Sequence, residues 1–225
     1  FLLILSIIIL LVLILRKINI IQIDNYIKPK LLAGWQGWTV SLSSDGNTLA
    51  VGSPQSLPGS PTMNIVFIWT RSGSNWTQES IISDNTNGNR QSCVSLSPDG
   101  NTLAIGVYNI LSKIGTVKIY TKSDNNWENI FTQQVGEGPK CYGNDYEQIS
   151  LCFSGDGNTL AVGTYFDNNC QGTVWIFIRS GSSWTQQGKL TNSIVWAGIS
   201  VALSADGNTL ASGGQEATWI YTRSG

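Results

Sequence analysis

Few side chains in this 225-residue chain could carry chemistry. Fourteen are acidic, thirteen are basic, four are cysteines and none is a histidine, so the net charge is −1. Without histidine, the commonest general base and metal ligand are missing, and no Ser-His-Asp or Cys-His arrangement can form. No glycine-rich loop precedes a helix that could hold a phosphate. The balanced charge offers no basic surface to nucleic acid. We therefore predict that the chain is not an enzyme, needs no cofactor and binds no nucleic acid.

The most regularly spaced carboxylates belong to a repeated phrase. Asp-Gly-Asn-Thr-Leu-Ala begins at Asp45, Asp99, Asp156 and Asp206, so successive copies lie 54, 57 and 50 residues apart. Such a period is typical of repeat folds in which each unit is one supersecondary element. Each copy supplies one carboxylate, whereas Ca²⁺ takes about six to eight oxygen ligands, usually with several carboxylates among them. The sequence therefore predicts turns at these aspartates and no metal site.

Apolar residues alternate on both sides of each Asp-Gly pair. In the first unit Val40 and Leu42 precede it, and Leu49 and Val51 follow it. This period of two predicts a β-hairpin, and Asp-Gly suits the positive φ angles of a two-residue type I′ turn. A second apolar run, a Ser-Gly turn and a tryptophan follow in the same unit, at residues 66–76. A unit of four antiparallel strands, repeated at this period, predicts an all-β chain, a β-propeller with four-stranded blades and four repeats.

The two ends of the chain differ from the repeats. The fourth unit stops at Ser224-Gly225, before its fourth strand. The linker at residues 24–37 could supply that strand and close a ring of four blades, and closure would remove exposed sheet edges. We therefore divide the chain into a hydrophobic helix at residues 1–23, this linker, and propeller repeats at residues 38–225.

The first fifteen residues are apolar except for Ser6, and Arg16 and Lys17 follow them. Fifteen helical residues span about 22 Å, less than the roughly 30 Å of a bilayer core, although isoleucines continue the segment to residue 23. No small-residue cleavage site follows, which argues against a signal peptide. We predict a transmembrane anchor or a helix used in assembly.

Several phrases resemble the FG-GAP repeat family, which includes the head of the integrin α-subunit. They are Val-Ser-Leu-Ser-Ser-Asp-Gly-Asn-Thr-Leu-Ala-Val-Gly at 40–52, Thr-Arg-Ser-Gly-Ser-Asn-Trp-Thr-Gln at 70–78 and the related phrase at 179–190. The resemblance covers residues 38–225 and implies a propeller with an adhesion-type role. The phrase at 97–104 is also similar to WD-type propellers, which leaves the architecture unchanged. Calcium-binding members of the FG-GAP family carry several acidic residues in the first hairpin loop, and this chain does not.

Propeller connectivity places the second-to-third-strand loops and the loops between blades on one face. We predict that this face binds a ligand, because loops on a rigid scaffold commonly carry recognition and exposed aromatic residues are common anchors. The alternative is that the same side chains pack their own loops. The candidate residues are Tyr108, Tyr142, Asp145, Tyr146, Tyr165, Phe166 and Asp167.

Two cysteines, Cys141 and Cys170, also fall on this face. We predict a disulfide between them, and therefore an oxidising compartment, although four cysteines permit three full pairings. Cys93 and Cys152 lie in inner strands, where buried free thiols are expected. The basic residues after the apolar run would place the propeller in the cytosol, whereas the cysteine pair and the family resemblance favour the outside. We predict the outside.

Three functions remain open at this point. The first is a membrane-anchored, surface-exposed and non-catalytic module that binds a protein or a glycan. The second is a structural subunit of a filament or virion that self-assembles through the N-terminal helix. The start of the chain is similar to type IV pilins, although Leu5 stands where that family has a glutamate. The third is an enzyme or an accessory domain of one.

Overall fold

The computed structural model describes residues 37–55, 63–84, 89–109, 111–124, 126–138, 141, 149–191 and 195–224. These residues form an all-β structure with one short turn of helix, α1. Its elements, in chain order, are β1 (Thr39–Leu42), β2 (Thr48–Gln55), β3 (Met63–Ser72), β4 (Asn75–Asp84), β5 (Asn89–Leu96), β6 (Thr102–Asn109), β7 (Ile114–Ser123), β8 (Asn126–Glu137), β9 (Ser150–Phe153), β10 (Thr159–Thr164), α1 (Asp167–Cys170), β11 (Thr173–Ser180), β12 (Ser183–Thr191), β13 (Ser200–Leu203), β14 (Thr209–Gly213) and β15 (Thr218–Thr222).

The strands form four antiparallel sheets, one for each sequence repeat. Sheet 1 contains β1–β4, sheet 2 contains β5–β8, sheet 3 contains β9–β12, and sheet 4 contains β13–β15. Within each sheet, neighbours in sequence are neighbours in space. This arrangement confirms the all-β class and the succession of antiparallel units that the alternating pattern predicts.

The Asp-Gly hairpin differs from the predicted two-residue turn. In sheet 1, β1 ends at Leu42 and β2 begins at Thr48, so five residues connect them. The Gly46 N–H donates to the Ser43 carbonyl, and Gly46 takes the left-handed conformation with φ +68°. The predicted type I′ turn is wrong because only the glycine has a positive φ. The aspartate instead accepts hydrogen bonds from its neighbours, an alternative that short polar side chains offer the backbone.

In sheets 1, 2 and 3 the second hairpin does have a two-residue connection. It joins β3 to β4, β7 to β8 and β11 to β12, and its first residue has a positive φ each time: Gly73, Asp124 and Gly181. The same hairpin carries a β-bulge in all three sheets, after Ile68, Ile119 and Ile176. A bulge increases local twist. The outer half of each sheet therefore follows one template.

Successive sheets pack face to face, and their apolar faces form the core. The largest buried cluster lies between sheets 2 and 3 and includes Ile119, Leu160 and Phe177. Side chains of the inner strands also join neighbouring sheets by hydrogen bonds. The Leu96 N–H donates to Ser41 Oγ at 2.8 Å, and the Leu203 N–H donates to Cys152 Sγ at 3.4 Å. Packing and hydrogen bonds thus fix each inner strand against the next.

The four sheets do not close into a ring. Val40 and Leu42 on the outer face of sheet 1 are 63% and 54% exposed, and Ile220 on sheet 4 is 64% exposed. The equivalent residues of sheet 2, Val94 and Leu96, are buried because sheet 1 covers them. The predicted four-bladed closure is therefore not present among the described strands. The proposed closing strand at 24–37 falls almost entirely outside the described residues, as does the predicted helix at 1–23. The helix found in the described part of the chain, α1, has four residues, and none there has the length and hydrophobicity of a membrane span.

Candidate functional site

The connections between strands lie at two ends of the sheets. The turn end consists of the four Asp-Gly connections, residues 43–47, 97–101, 154–158 and 204–208, together with the two-residue turns. The variable end consists of the second-to-third-strand connections and the connections between sheets. Its described parts include residues 165–172 and 195–199. The first end is nearly identical in every unit, and the second is different in each.

The variable end is cross-linked at sheet 3. The structure joins Cys141, in the connection from sheet 2, to Cys170, in the connection between β10 and β11. The loop that precedes sheet 4 is attached to the same place. The Trp196 N–H donates to the Cys170 carbonyl at 2.9 Å, and Gly172 forms a parallel bridge with Ala197. Three connections are therefore held together around one disulfide.

Three of the predicted site residues are packed inside this end. Tyr108 is 1% exposed, Phe166 is fully buried, and their ring centroids are 4.5 Å apart. The Tyr108 hydroxyl donates to the Gly138 carbonyl at 3.0 Å. Asp167 is buried too, and its Oδ1 accepts the Glu137 N–H at 3.3 Å. These side chains hold the connections of sheets 2 and 3 together.

Asp167 also forms an ion pair with the outer strand. Lys189 Nζ lies 3.1 Å from Asp167 Oδ2, without the alignment of a hydrogen bond. The same ammonium lies 4.3 Å from the centre of the Trp175 ring, a distance typical of a cation–π interaction. The Trp175 indole N–H donates to Thr164 Oγ1 at 3.2 Å. These contacts attach the outer strand β12 to the connection between β10 and β11.

Two partly exposed aromatic residues lie in the same connections of the variable end. Tyr165, a predicted site residue, lies edge-on to Trp196, with ring centroids 6.4 Å apart. In the same connection as Tyr165, the exposed Asn168 and Asn169 have left-handed backbones with φ of +53° and +54°. We call Tyr165, Trp196, Asn168 and Asn169 the aromatic platform. The remaining predicted residues, Tyr142, Asp145 and Tyr146, lie outside the described residues.

Trp196 was not among the predicted site residues. Its φ is +69°, which is rare for a bulky side chain and is commonly found where function requires strain. A signal for it exists in the sequence. One position, five residues before the first apolar residue of the inner strand, can be compared across the four repeats. It holds Trp35, Asn89, Tyr146 and Trp196. Tyr146 is among the predicted site residues, and Trp196, at the same position of the next repeat, is not.

Hydrogen bonds at the turn end stabilise the ionised form of the Asp-Gly aspartates. The Ser43 hydroxyl donates to Asp45 Oδ1 at 2.6 Å, and the backbone and side-chain N–H groups of Asn47 both donate at 2.9 Å. The Ser43 bond, followed by those of Asn47, holds the pKa of Asp45 below its ordinary value. At Asp99 burial works to raise the pKa, but hydrogen bonds outweigh it and the pKa is again lowered.

Neighbouring turns are also hydrogen-bonded to each other. The Ser44 N–H donates to the Pro98 carbonyl at 2.9 Å, and the Asp156 N–H donates to the Ala205 carbonyl at 3.0 Å. Each aspartate is thus occupied by its own turn, and the turns together support the array. Among the described residues, no three acidic or cysteine side chains are grouped so that they could hold a metal ion. The expectation of no metal remains a prediction.

We expect acid to weaken the turn end. The pKa of Asp156 is lowered, first by the Ser154 hydroxyl, so its contribution to stability is complete above the unfolded pKa of about 3.9 and is lost as pH falls through the lower folded pKa. Replacing Asp156 with Ala should cost about 1 kcal/mol at pH 7, because hydrogen bonds at this exposed turn are screened by solvent. Urea unfolding of the original chain and of the variant, at pH 7 and at pH 2.5, measures the loss of unfolding free energy at each pH. The cost should shrink at pH 2.5, and a cost that does not depend on pH would contradict the assignment.

Comparisons with known proteins agree on the fold. No family model matches the sequence, and no curated protein matches it. Among solved structures, a protein from Lactobacillus plantarum is similar with a TM-score of 0.56 and 16% identity, over 85% of this chain and 57% of that one. The β-propeller domain of the Trilobed protease from Pyrococcus furiosus, described as having an open velcro topology, is similar with a TM-score of 0.55 and 13% identity. That match covers 84% of this chain and 55% of that one. The chain therefore spans little more than half the length of these structures, and it shares a propeller-like fold with them.

A third solved structure corrects one prediction. A Bacteroides uniformis protein described as a "putative 6-phosphogluconolactonase" has a TM-score of 0.57 and 13% identity, over 85% of this chain and 51% of that one. The prediction that the chain is not an enzyme is wrong, because a protein described as an enzyme has a similar fold. The sequence therefore does not exclude an enzymatic function. A missing histidine argues only against mechanisms that use one. At this identity the likeness shows the fold alone.

Proposed function

We propose that the chain is a surface-exposed β-propeller module that binds a protein or a glycan through the aromatic platform. The observation that carries the proposal is Trp196, a partly exposed tryptophan with a left-handed backbone at the disulfide-linked end. A fixed aromatic face gives contact area to a sugar ring or an apolar side chain at little entropic cost. The exposed amide of Asn169 can donate and accept hydrogen bonds, and that of Asn168, whose nitrogen donates to Gln171 Oε1, keeps an oxygen that can accept.

The rigidity of the platform supports this proposal. The buried Phe166 follows Tyr165 directly, and the backbone N–H of Trp196 donates to the backbone carbonyl of Cys170. Both aromatic residues are therefore positioned before a ligand arrives, which lowers the ordering cost of binding.

We expect Trp196→Ala to weaken ligand binding at least tenfold. Glycan and surface-protein arrays probed with the full chain in mild detergent would identify the ligand, and titration would then compare variants. Val195→Ala is the matched control because Val195 is the adjacent residue, is 38% exposed and lies outside the platform. Its affinity should stay within twofold of the original chain. Equal binding by the Trp196 variant, or no ligand on either array, would contradict the proposal.

We further propose that residues 1–23 form a hydrophobic helix that anchors the propeller on the outside of a membrane, in an FG-GAP-like arrangement. The Cys141–Cys170 disulfide supports an oxidising compartment, since cytosolic thiols are mostly kept reduced. The apolar run, Arg16 and Lys17 support an anchor.

A second candidate function is assembly into a filament or virion. Two open apolar faces favour it: Val40 and Leu42 on sheet 1, and Ile220 on sheet 4. These faces are not the same surface, so pairing them between copies would be head-to-tail and could produce rings or fibres. Electron microscopy of natively extracted material distinguishes the two functions. Dispersed particles would support the binding module, and ordered polymers would support assembly.

A further inference from the structure

One hairpin at the turn end carries a sequence motif that the equivalent hairpins lack. Asn75-Trp76-Thr77, at the start of β4, is the only Asn-X-Ser/Thr triplet in the 225 residues. The middle residue of such a triplet can be any residue except proline, and here it is tryptophan. The enzymes that attach glycans to asparagine recognise this triplet where it is accessible. The structure of the hairpin therefore determines whether the triplet can be used.

The hairpin presents both functional residues of the triplet to solvent. β3 ends at Ser72 and β4 begins at Asn75, so the triplet starts directly after the two-residue turn. Asn75 and Thr77 are exposed, whereas Trp76 is partly buried and packs against an apolar cluster of β3. Successive side chains of a strand point to opposite faces, so Asn75 and Thr77 share one face and Trp76 lies on the other. The two residues that a modifying enzyme must recognise are thus accessible together.

The neighbouring sheet leaves room around this site. Sheet 2 contacts β4 at Glu79, where Lys122 Nζ lies 2.7 Å from Oε2 and the Trp127 indole N–H donates to Oε1 at 3.2 Å. Glu79 lies two residues beyond the triplet, further from the turn. An attached glycan is bulky and needs free solvent around its asparagine. The turn end of sheet 1 provides that space, at the end of the sheets opposite to the aromatic platform.

The equivalent hairpins of sheets 2 and 3 each differ from the motif by one residue. In sheet 2 the triplet is Asn126-Trp127-Glu128, without the threonine, and in sheet 3 it is Ser183-Trp184-Thr185, without the asparagine. The three tryptophans occupy one register position, each opposite a basic residue of the preceding strand. The first residue of the triplet is exposed in all three sheets. Exposure is therefore common to these hairpins, and the complete triplet belongs to sheet 1.

We propose that Asn75 is a modification site and carries an N-linked glycan. The donor is an oligosaccharide joined through its anomeric carbon to a lipid pyrophosphate. The bond between this carbon and the pyrophosphate oxygen breaks, and the pyrophosphate leaves with the electron pair. The anomeric carbon forms a new bond to Asn75 Nδ2, which loses one proton, so no oxidant or reductant is needed.

This inference rests on one part of the proposed function, the location of the propeller outside the membrane. The Cys141–Cys170 disulfide supports that location, since the compartments in which disulfides persist include the one through which secreted proteins pass. The inference does not depend on ligand binding by the aromatic platform. The two assignments can therefore fail separately.

Mass spectrometry of natively extracted chain, treated with peptide N-glycosidase in heavy-oxygen water, tests the proposal. The glycosidase removes an N-linked glycan and converts its asparagine to an aspartate that carries the heavy isotope. We expect this label at Asn75, together with the loss of one step of gel mobility. An unlabelled Asn75 peptide in the treated material would overturn the proposal.

Variants of the full chain, expressed in eukaryotic cells, locate the modification. Asn75→Gln and Thr77→Ala should each abolish the mobility step that the glycosidase removes. Thr77→Ser should keep it, because serine also completes the triplet. Both positions are exposed, so none of these changes should prevent folding. A step that persists in Asn75→Gln would place the glycan elsewhere and contradict the assignment.

The hairpin of sheet 3 supplies a matched control in the same molecule. Ser183→Asn completes the triplet at the equivalent register position and should add a second mobility step. A step from this position alone would show that the chain reaches the modifying compartment and that Asn75 is not the acceptor. Absence of both steps would overturn the site together with the outside location. Ligand affinity of the Asn75→Gln variant should stay within twofold, because the platform lies at the other end of the sheets.

Discussion

Replacing Phe166 with Ala is expected to lower the free energy of unfolding by about 3–5 kcal/mol, the range found for phenylalanine in a packed core. Phe166 is fully buried, and its ring contacts Tyr108 and Tyr165 at centroid distances of 4.5 and 6.0 Å. A methyl group placed on Gly115 would come within 2.7 Å of the ring, which shows how closely sheet 2 surrounds it. The truncation therefore leaves a cavity that rigid strands cannot fill.

Urea unfolding followed by tryptophan fluorescence measures this loss. Leu111→Ala is the control, because Leu111 lies at the same end of the sheets but is 71% exposed. Its effect should stay within about 0.5 kcal/mol, as is usual for surface substitutions. A Phe166 variant as stable as the Leu111 variant would show that the ring does not hold sheets 2 and 3 together.

Removing the disulfide should have the next largest effect. Cys141 and Cys170 are 29 residues apart in sequence, and closing a loop of that length stabilises the folded state by about 3–4 kcal/mol in the chain-entropy model. The double variant Cys141→Ser with Cys170→Ser should therefore lose about that amount, measured by urea unfolding. It should also lose ligand affinity, because the disulfide fixes the connection whose Cys170 carbonyl accepts the Trp196 backbone N–H.

A reducing agent supplies the control for this prediction. Dithiothreitol should lower the stability of the original chain towards that of the double variant and leave the double variant itself unchanged. If the original chain keeps its full stability when the bond is demonstrably reduced, the packing of Tyr108 and Phe166 alone fixes the variable end.

Much of the fold could be predicted because it depends on local chemistry. Alternation around residues such as Val40 and Leu42 produces strands wherever one face is buried, and a repeated phrase repeats that result. The turn type was missed for a local reason too. The Ser43 hydroxyl and the Asp45 carboxylate form their own hydrogen bonds, so the backbone does not need a second positive φ.

The site was harder to predict because burial of a loop aromatic depends on distant neighbours. Tyr108 and Phe166 resemble exposed anchors in the sequence, but glycines of β7 and β8 leave room for the Phe166 ring. A bulkier residue at Gly115 or Gly136 would meet it. Whether an aromatic residue turns inward is decided by such gaps in another sheet, and a single sequence gives no direct sign of them.

The two free cysteines, Cys93 and Cys152, are natural probes of the transient separation of neighbouring sheets. Cys93 belongs to sheet 2 and interacts with the backbone of Leu151 in sheet 3, and burial raises the pKa of its thiol to about 12. Cys152 of sheet 3 accepts the N–H of Leu203 in sheet 4. Both thiols are only partly exposed, so a thiol reagent should react faster with each of them when the adjoining pair of sheets separates. A comparison of the two alkylation rates would therefore report on two consecutive interfaces in one molecule, without any label being introduced.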